Sequence, residues 1–209
     1  EKIIVVTGYL SHKVYSLSGD IKKIENQRWK ETNMVASLYC AKEWLTDDVI
    51  ISYSDIIYQQ SVLERLLESK GTSVVSADKE FLRYWKLRLD EPLDDVESFS
   101  VNEKSCIDNI GQKVESLNGI EAQYIGLMRF RDEGVKSLIS ILEKLKGTKQ
   151  FDKMYMTDLL MEMIESGSCL TASFHKNSWL EIDSVDDLRL AERALKQKTP
   201  ISLIERMGD

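Results

Sequence analysis

"SWLEIDSVDDLRLAERAL", residues 178–195, is the stretch whose reading decides the fold. Its opening is a short apolar run with the look of a strand, and its remainder has helical period. A strand passing straight into a helix is the repeating unit of an α/β sheet. In open sheets of that kind, ligands bind beyond the carboxyl ends of the strands. Asp183 stands at that end. It has two available roles: a ligand-binding acid, or the cap of the following helix, a duty that Asp183 or Ser184 can perform. Period two places Trp179, Glu181 and Asp183 on one face, alternating with Leu180 and Ile182.

"VIISYSDIIY", residues 49–58, repeats the arrangement, with Asp55 closing an apolar run. The two acids are distant in sequence, so only the fold can bring them together. Two carboxylates held close repel each other unless a proton or a metal lies between them. An oxygen-only pair suits magnesium carrying a nucleotide phosphate.

The rest of the chain extends the α/β pattern. Apolar runs at 2–7, 21–25, 72–77 ("TSVVSA") and 121–130 ("EAQYIGLMRF") read as strands, as does "CLTASF". Helical periodicity appears in "ETNMVASLYCAKEWL", where Thr32 or Asn33 can cap and Met34, Val35, Leu38, Ala41 and Leu45 form a stripe. "SVLERLLES" and the segments near 132–146 and 155–166 are further helices. Between 81 and 110, "YWKLRL" and "VESFSV" read as short antiparallel strands. The expectation is a mostly parallel, mixed Rossmann-like sheet flanked by helices, with a small antiparallel portion, all in one domain over residues 1–209. The only two prolines, Pro92 and Pro200, argue against a hinge between domains.

Composition narrows the function. The chain has 209 residues, 43% hydrophobic and 30% charged, and a net charge of −7. That balance speaks against a broad nucleic-acid surface but not against a phosphate substrate, because a bound metal reverses the local sign. No apolar run has the length of a membrane span and no signal peptide is apparent, so a cytoplasmic location is expected. Cys40, Cys106 and Cys169 are scattered without a CxxC pair, which argues against structural zinc and for buried thiols in a reducing compartment. His12 and His175 show no metal spacing. The chain opens directly in an apolar run, without Met, and reads as one whose beginning lies upstream.

"ETNMVASLYCAKEWLTDDVIISYSDIIY" resembles the nucleotidyltransferases that make sugar nucleotides and CDP-alcohols. "SWLEIDSVDDL" is similar to the closing motif of their phosphocholine cytidylyltransferase branch, which includes enzymes of phosphonate biosynthesis. "ADKEFLRYWKLRLDEPLDD" and "IEAQYIGLMRF" fit the same branch, so the resemblance covers nearly the whole chain. It implies Asp55 and Asp183 as magnesium ligands. Ser54 stands where the family commonly has Gly, which a serine tolerates if φ is negative. Lys113 matches a lysine that contacts phosphate, and otherwise reads as a solvated turn residue. Asn33 and Ser37 match the segment beside the nucleotide, and otherwise read as a helix cap and a helix-face filler. The family's Gly-rich loop, which with a Lys cradles the triphosphate, has no counterpart here; Gly8 of "VTGYL" is a single glycine beside that position.

The resemblance also places Trp85, Tyr124 and Trp179, on three separate predicted strands, around the acceptor. Aromatic faces attract ammonium groups by about 0.5–2 kcal/mol per well-placed ring, although core packing is the commoner use of a strand Trp. Glu181 and Asp158 are candidate partners of the ammonium. The implied reaction is transfer of CMP from CTP to phosphocholine, phosphoethanolamine or an aminoalkylphosphonate, releasing pyrophosphate. Two alternatives stand beside it: sugar-1-phosphate transfer with UTP or dTTP, and a non-catalytic nucleotide-binding module. A homodimer is compatible with the sequence.

Overall fold

The computed structural model describes residues 2–14 and 21–196. In chain order the elements are β1 (Ile3–Thr7), α1 (Ser11–Val14), β2 (Ile21–Glu25), α2 (Met34–Cys40), β3 (Asp48–Ser52), β4 (Ile56–Tyr58), α3 (Gln60–Glu68), β5 (Ser73–Asp78) and α4 (Phe81–Arg88). They continue with β6 (Glu97–Val101), β7 (Ile107–Lys113), β8 (Gln123–Arg131), α5 (Glu133–Leu145), α6 (Met156–Glu165), β9 (Thr171–His175), β10 (Trp179–Glu181) and α7 (Val185–Lys196). The chain forms two compact units, Glu1–Val49 with Arg131–Ser168, and Ile50–Phe130 with Cys169–Asp209.

In the first unit, β1 and β2 pair in parallel, Ile3 opposite Ile21 and Thr7 opposite Glu25. Helix α2 starts where the sequence placed it. Asn33 has extended backbone and its side chain accepts the Met34 N–H. Val35, Leu38, Ala41 and Leu45 of the expected stripe are buried. Helices α5 and α6 contribute Leu138, Leu142, Leu159, Leu160 and Met163 to the same unit's core.

In the second unit a four-stranded sheet runs in the order β3-β8-β5-β9. β5 is antiparallel to β8 and parallel to β9. All six residues of β5 are buried, as an inner strand covered on both faces requires. Helix α3 packs against β5 and β9 through its apolar stripe, with Val62 and Leu66 fully inside. Two antiparallel ribbons, β6-β7 and β4-β10, complete the unit. The α/β class read from the sequence is therefore the class observed.

Two expectations are corrected. "YWKLRL" lies in and just after helix α4, not in a strand. Phe81, Tyr84 and Trp85 are buried and Arg88 follows at the next turn, the i, i+3, i+4, i+7 spacing of a helical face. The alternation seen in the sequence was one edge of that period. Cys106 and Cys169 are not separate buried thiols but a disulfide, with Cα atoms 5.3 Å apart, and the free Cys40 is exposed. No helix among the described residues is long and apolar enough to cross a membrane.

Candidate active site

The ribbon of β4 and β10 brings the two distant acids together. Its register sets Trp179 opposite Tyr58, Leu180 opposite Ile57 and Glu181 opposite Ile56. One step further, the Ile182 N–H donates to the Asp55 carbonyl at 2.8 Å. Asp55 and Asp183 therefore emerge at the same end of the ribbon, just beyond the end of β3. The loop carrying Asp55 is anchored on β8, where the Tyr53 N–H donates to the Gly126 carbonyl at 2.8 Å. Gly126 has φ +78°, and a Cβ there would sit 2.6 Å from Cγ of the Tyr53 ring, so this position accepts only glycine. Ser54, exposed in the bend before Asp55, is not among the residues with positive φ, which meets the condition for a serine at that position.

The residues after Asp183 show what caps the following helix. The Ser184 Oγ accepts the Asp187 N–H at 3.1 Å, and Asp187 Oδ2 accepts the Ser184 N–H at 2.9 Å and its hydroxyl at 2.8 Å. This reciprocal pair closes the start of α7. The Asp183 carboxylate takes no part in that cap, and its side chain is 54% exposed.

Arg88, which the sequence reading passed over, organises the cluster. Its guanidinium is 3% exposed and donates to Glu181 Oε2 at 2.6 Å, to Asp183 Oδ2 at 2.7 Å and to Asp187 Oδ1 at 2.9 Å. Tyr84 braces the same strand, its hydroxyl accepting the Glu181 N–H at 2.9 Å and donating to the Glu181 carbonyl at 3.0 Å. Burial opposes the charge on Arg88, but Asp187, Tyr84 and Glu181 outweigh it and hold its pKa above the ordinary value. Burial likewise opposes the charge on Asp187, and Arg88 with Ser184 keeps that carboxyl below its usual range.

Glu181 and Asp55 are not fully compensated. Burial pushes Glu181 up to about 7; Arg88 pulls it back, while Asp183 and Asp55 push it further. Burial also raises Asp55, and Asp183 adds to the rise. Asp55 Oδ1 is buried without a hydrogen-bond partner. A buried anionic oxygen left unpaired beside a second carboxylate is costly unless a cation completes it. The pair has the hard-oxygen chemistry that magnesium accepts. Among the described residues no group of three or more His, Cys, Asp or Glu side chains could itself hold a metal. The remaining positions around such an ion would fall to phosphate oxygens and water, as is usual for magnesium.

Trp179 is 1% exposed, its indole N–H donates to Asp78 Oδ2 at 2.9 Å, and its ring packs against Tyr84 and Trp85. Trp85 is on helix α4 and 4% exposed. These rings form the packed wall behind Glu181 instead of an open aromatic face. Tyr124 on β8 is half-buried and meets Tyr53 edge-on, 5.7 Å between centroids. Lys113 is exposed at the end of β7, opposite Glu97. Gly8, Asn33, Ser37 and Asp158 belong to the first unit. A Cβ on Gly8 would meet Trp29 Cβ at 2.6 Å, so close packing requires that glycine. Ser37 Oγ accepts from the Asn26 amide at 3.1 Å. Asp158 Oδ2 accepts the Tyr155 N–H at 2.7 Å, capping α6.

The fold is that of solved nucleotidyltransferases. No protein-family model matches the chain. It is 34% identical over 203 residues to a CTP:phosphoglutamine cytidylyltransferase of Campylobacter jejuni, covering 90% of this chain and 80% of that protein. It is 22% identical over 201 residues to a choline-phosphate cytidylyltransferase of Streptococcus pneumoniae, covering 94% of this chain and 79% of that protein. The solved inositol-1-phosphate CTP transferase of T. maritima superposes with a TM-score of 0.70 at 19% identity, over 97% of this chain and 77% of that one. The chain belongs to the nucleotidyltransferase family, within its cytidylyltransferases.

Proposed function

We propose that the chain transfers CMP from CTP to a small phosphorylated or phosphonate acceptor that carries a charged nitrogen, at a magnesium ion held by Asp55 and Asp183. The observation that carries this reading is the unpartnered Asp55 Oδ1 facing the field of Asp183. An acceptor oxygen that is already anionic attacks the α-phosphorus. One P–O bond forms, the bond to the bridging oxygen breaks, and its electron pair leaves with pyrophosphate. No general base is required, because the attacking oxygen already carries the negative charge. The metal would supply charge neutralisation on the phosphates. Asp55 and Asp183 would hold that ion, and Arg88 fixes Asp183 and Glu181 in register.

Glu181 is the proposed partner of the acceptor nitrogen. Its side chain is 21% exposed and lies on the strand end that leads to Asp183, so an ammonium there would sit beside a phosphoryl group at the metal. The Campylobacter jejuni relative is named for phosphoglutamine and the Streptococcus pneumoniae relative for choline phosphate, both nitrogen-bearing acceptors. Consumption of CTP supports a cytoplasmic site of action.

Replacing Asp55 or Asp183 by Ala is expected to lower the rate of pyrophosphate release on the order of a hundredfold or more, with circular dichroism unchanged. Near-normal turnover in both variants would reject the metal assignment. Competition among phosphocholine, aminoethylphosphonate and glucose 1-phosphate tests the acceptor. If glucose 1-phosphate reacts best and neither nitrogen compound reacts, the role of Glu181 is wrong.

A further inference from the structure

A cavity of about 410 Å³ lies at the other end of the β4–β10 ribbon, between α3 and the loop joining β9 to β10. The Gln59 N–H bonds to the Ser178 carbonyl there, so this end is four residues along the chain from Asp55, roughly 13 Å at strand rise. The cavity is lined by Arg65, Lys79, Lys176 and His175. That is a cationic lining, in a molecule whose net charge is −7.

The built element is His175. It is 6% exposed, and its Nδ1 is 2.9 Å from the Asn177 carbonyl oxygen, so Nδ1 carries the proton. Its Nε2 is buried and has no partner. A buried ring nitrogen left unmatched is a cost, removed by a ligand that bonds to it. Around it, Arg65 and Lys79 are not ion-paired among the described residues. The Lys79 ammonium lies 4.2 Å from the centre of the Phe174 ring, held over the cavity by that aromatic face. Lys176 is paired with Glu80 at 3.0 Å and contributes less. The backbone at the rim is fixed in an uncommon shape, with Asn177 at φ 50° and Ser178 at φ 68°. The Asn177 N–H is held by Asp78 Oδ1 at 2.9 Å. Left-handed backbone at two consecutive non-glycine residues marks a conformation that the surroundings impose.

We propose that this cavity is a binding site for a phosphate group, separate from the acid pair. A phosphate group offers oxygens to Arg65 and Lys79, and its O–H, or a proton taken up with it, completes His175 Nε2. The groups facing the imidazole are consistent with this: burial and Arg65 keep the ring neutral, while Asp78 and the Asn177 carbonyl oppose them. A bound anion shifts that balance toward the imidazolium, which then donates from Nε2. The shared chemistry is the phosphate group; its source is either free phosphate or a phosphorylated small molecule.

The test is titration of the full chain with inorganic phosphate and, separately, with phosphocholine, following the His175 ring-proton NMR signal. A saturable shift with either is expected. In the Arg65→Ala/Lys79→Ala double variant the affinity is expected to weaken roughly tenfold or more, while thermal unfolding and CTP turnover at saturating substrate stay unchanged, because neither side chain touches the acid pair. Tighter binding of phosphocholine assigns the site to an organic phosphate, and tighter binding of inorganic phosphate assigns it to the free ion. The proposal is overturned if neither compound shifts the signal saturably, or if the double variant binds as the parent does. His175→Gln, which keeps a polar group in the same place, separates loss of the cations from loss of the ring. Parent-like phosphate binding in that variant would remove His175 from the site.

Discussion

Glu181 shows how much a single side chain can carry without being visible from the sequence. Its place on the acid-bearing face followed from period two, but its charge state depends on neighbours that only the fold supplies. Burial sets the direction, Arg88 opposes it, and the net result is a carboxyl that titrates near neutrality at about 7 instead of the ordinary 4.5. The folded chain thus binds this proton more tightly than the unfolded chain. That contribution to stability is fully present below about 4.5 and is lost as pH rises through about 7. Glu181→Gln removes the titration. The stability of the parent relative to Glu181→Gln is therefore expected to fall as pH rises between these values, measured by denaturant unfolding at several pH values. A difference that stays constant from pH 4.5 to 7.5 would contradict the burial argument. Arg88 was illegible for a related reason: "YWKLRL" alternates like a strand, and only the helical period places Arg88 one turn beyond Tyr84 and Trp85, where it reaches three carboxylates. Ser184 and Asp187 did carry a signal, the S-x-x-D spacing of a reciprocal cap. Reading it would have relieved Asp183 of the capping role from the outset.

At the scale of elements, apolar runs and helical stripes marked out β1, β2, β5, β8 and β9 and helices α2, α3, α5 and α6, because burial of one face or two leaves a period in the chain. Pairing left no such trace. The antiparallel join of β4 to β10, which unites the two acids, depends on contacts between segments far apart in sequence. Gly126 shows how one element positions another. It sits in β8, yet its positive φ and missing Cβ make room for Tyr53, two residues before Asp55. Gly126→Ala would force the backbone into a conformation that costs about 1–3 kcal/mol and would drive a methyl into the Tyr53 ring. The expected outcome is a lower denaturant midpoint together with slower pyrophosphate release, since the displaced loop carries Asp55. Parent-like values for both measurements would show that the loop is not held through Tyr53. Lost stability with normal turnover would limit the role of Gly126 to packing.

For the whole molecule, the path of the chain gives the Cys106–Cys169 bond its importance. The chain leaves the second unit at Phe130, builds α5 and α6 in the first, and returns at Cys169. The disulfide joins the point of return to Cys106, before β7, closing a span of 63 residues. Beside it, the Ile107 N–H donates to the Leu170 carbonyl at 2.7 Å, so backbone pairing and covalent bond hold the same seam. The sequence pointed the other way, because three scattered cysteines without a CxxC pair read as thiols, and spacing cannot show that two of them meet. On a chain-entropy account, a closed loop of this length restricts the unfolded ensemble enough to stabilise the fold by about 4 kcal/mol. Reduction is thus expected to lower the urea midpoint of the parent. The Cys106→Ser/Cys169→Ser variant should unfold at that lower midpoint with or without reductant. Since Cys40 stands apart from the bond, Cys40→Ser should keep the parent's full response to reductant. If reductant leaves the parent's midpoint unchanged, the two thiols are not joined in solution, and the reducing-compartment reading of the sequence stands. A reductant response that survives in the double variant would instead trace the effect to Cys40.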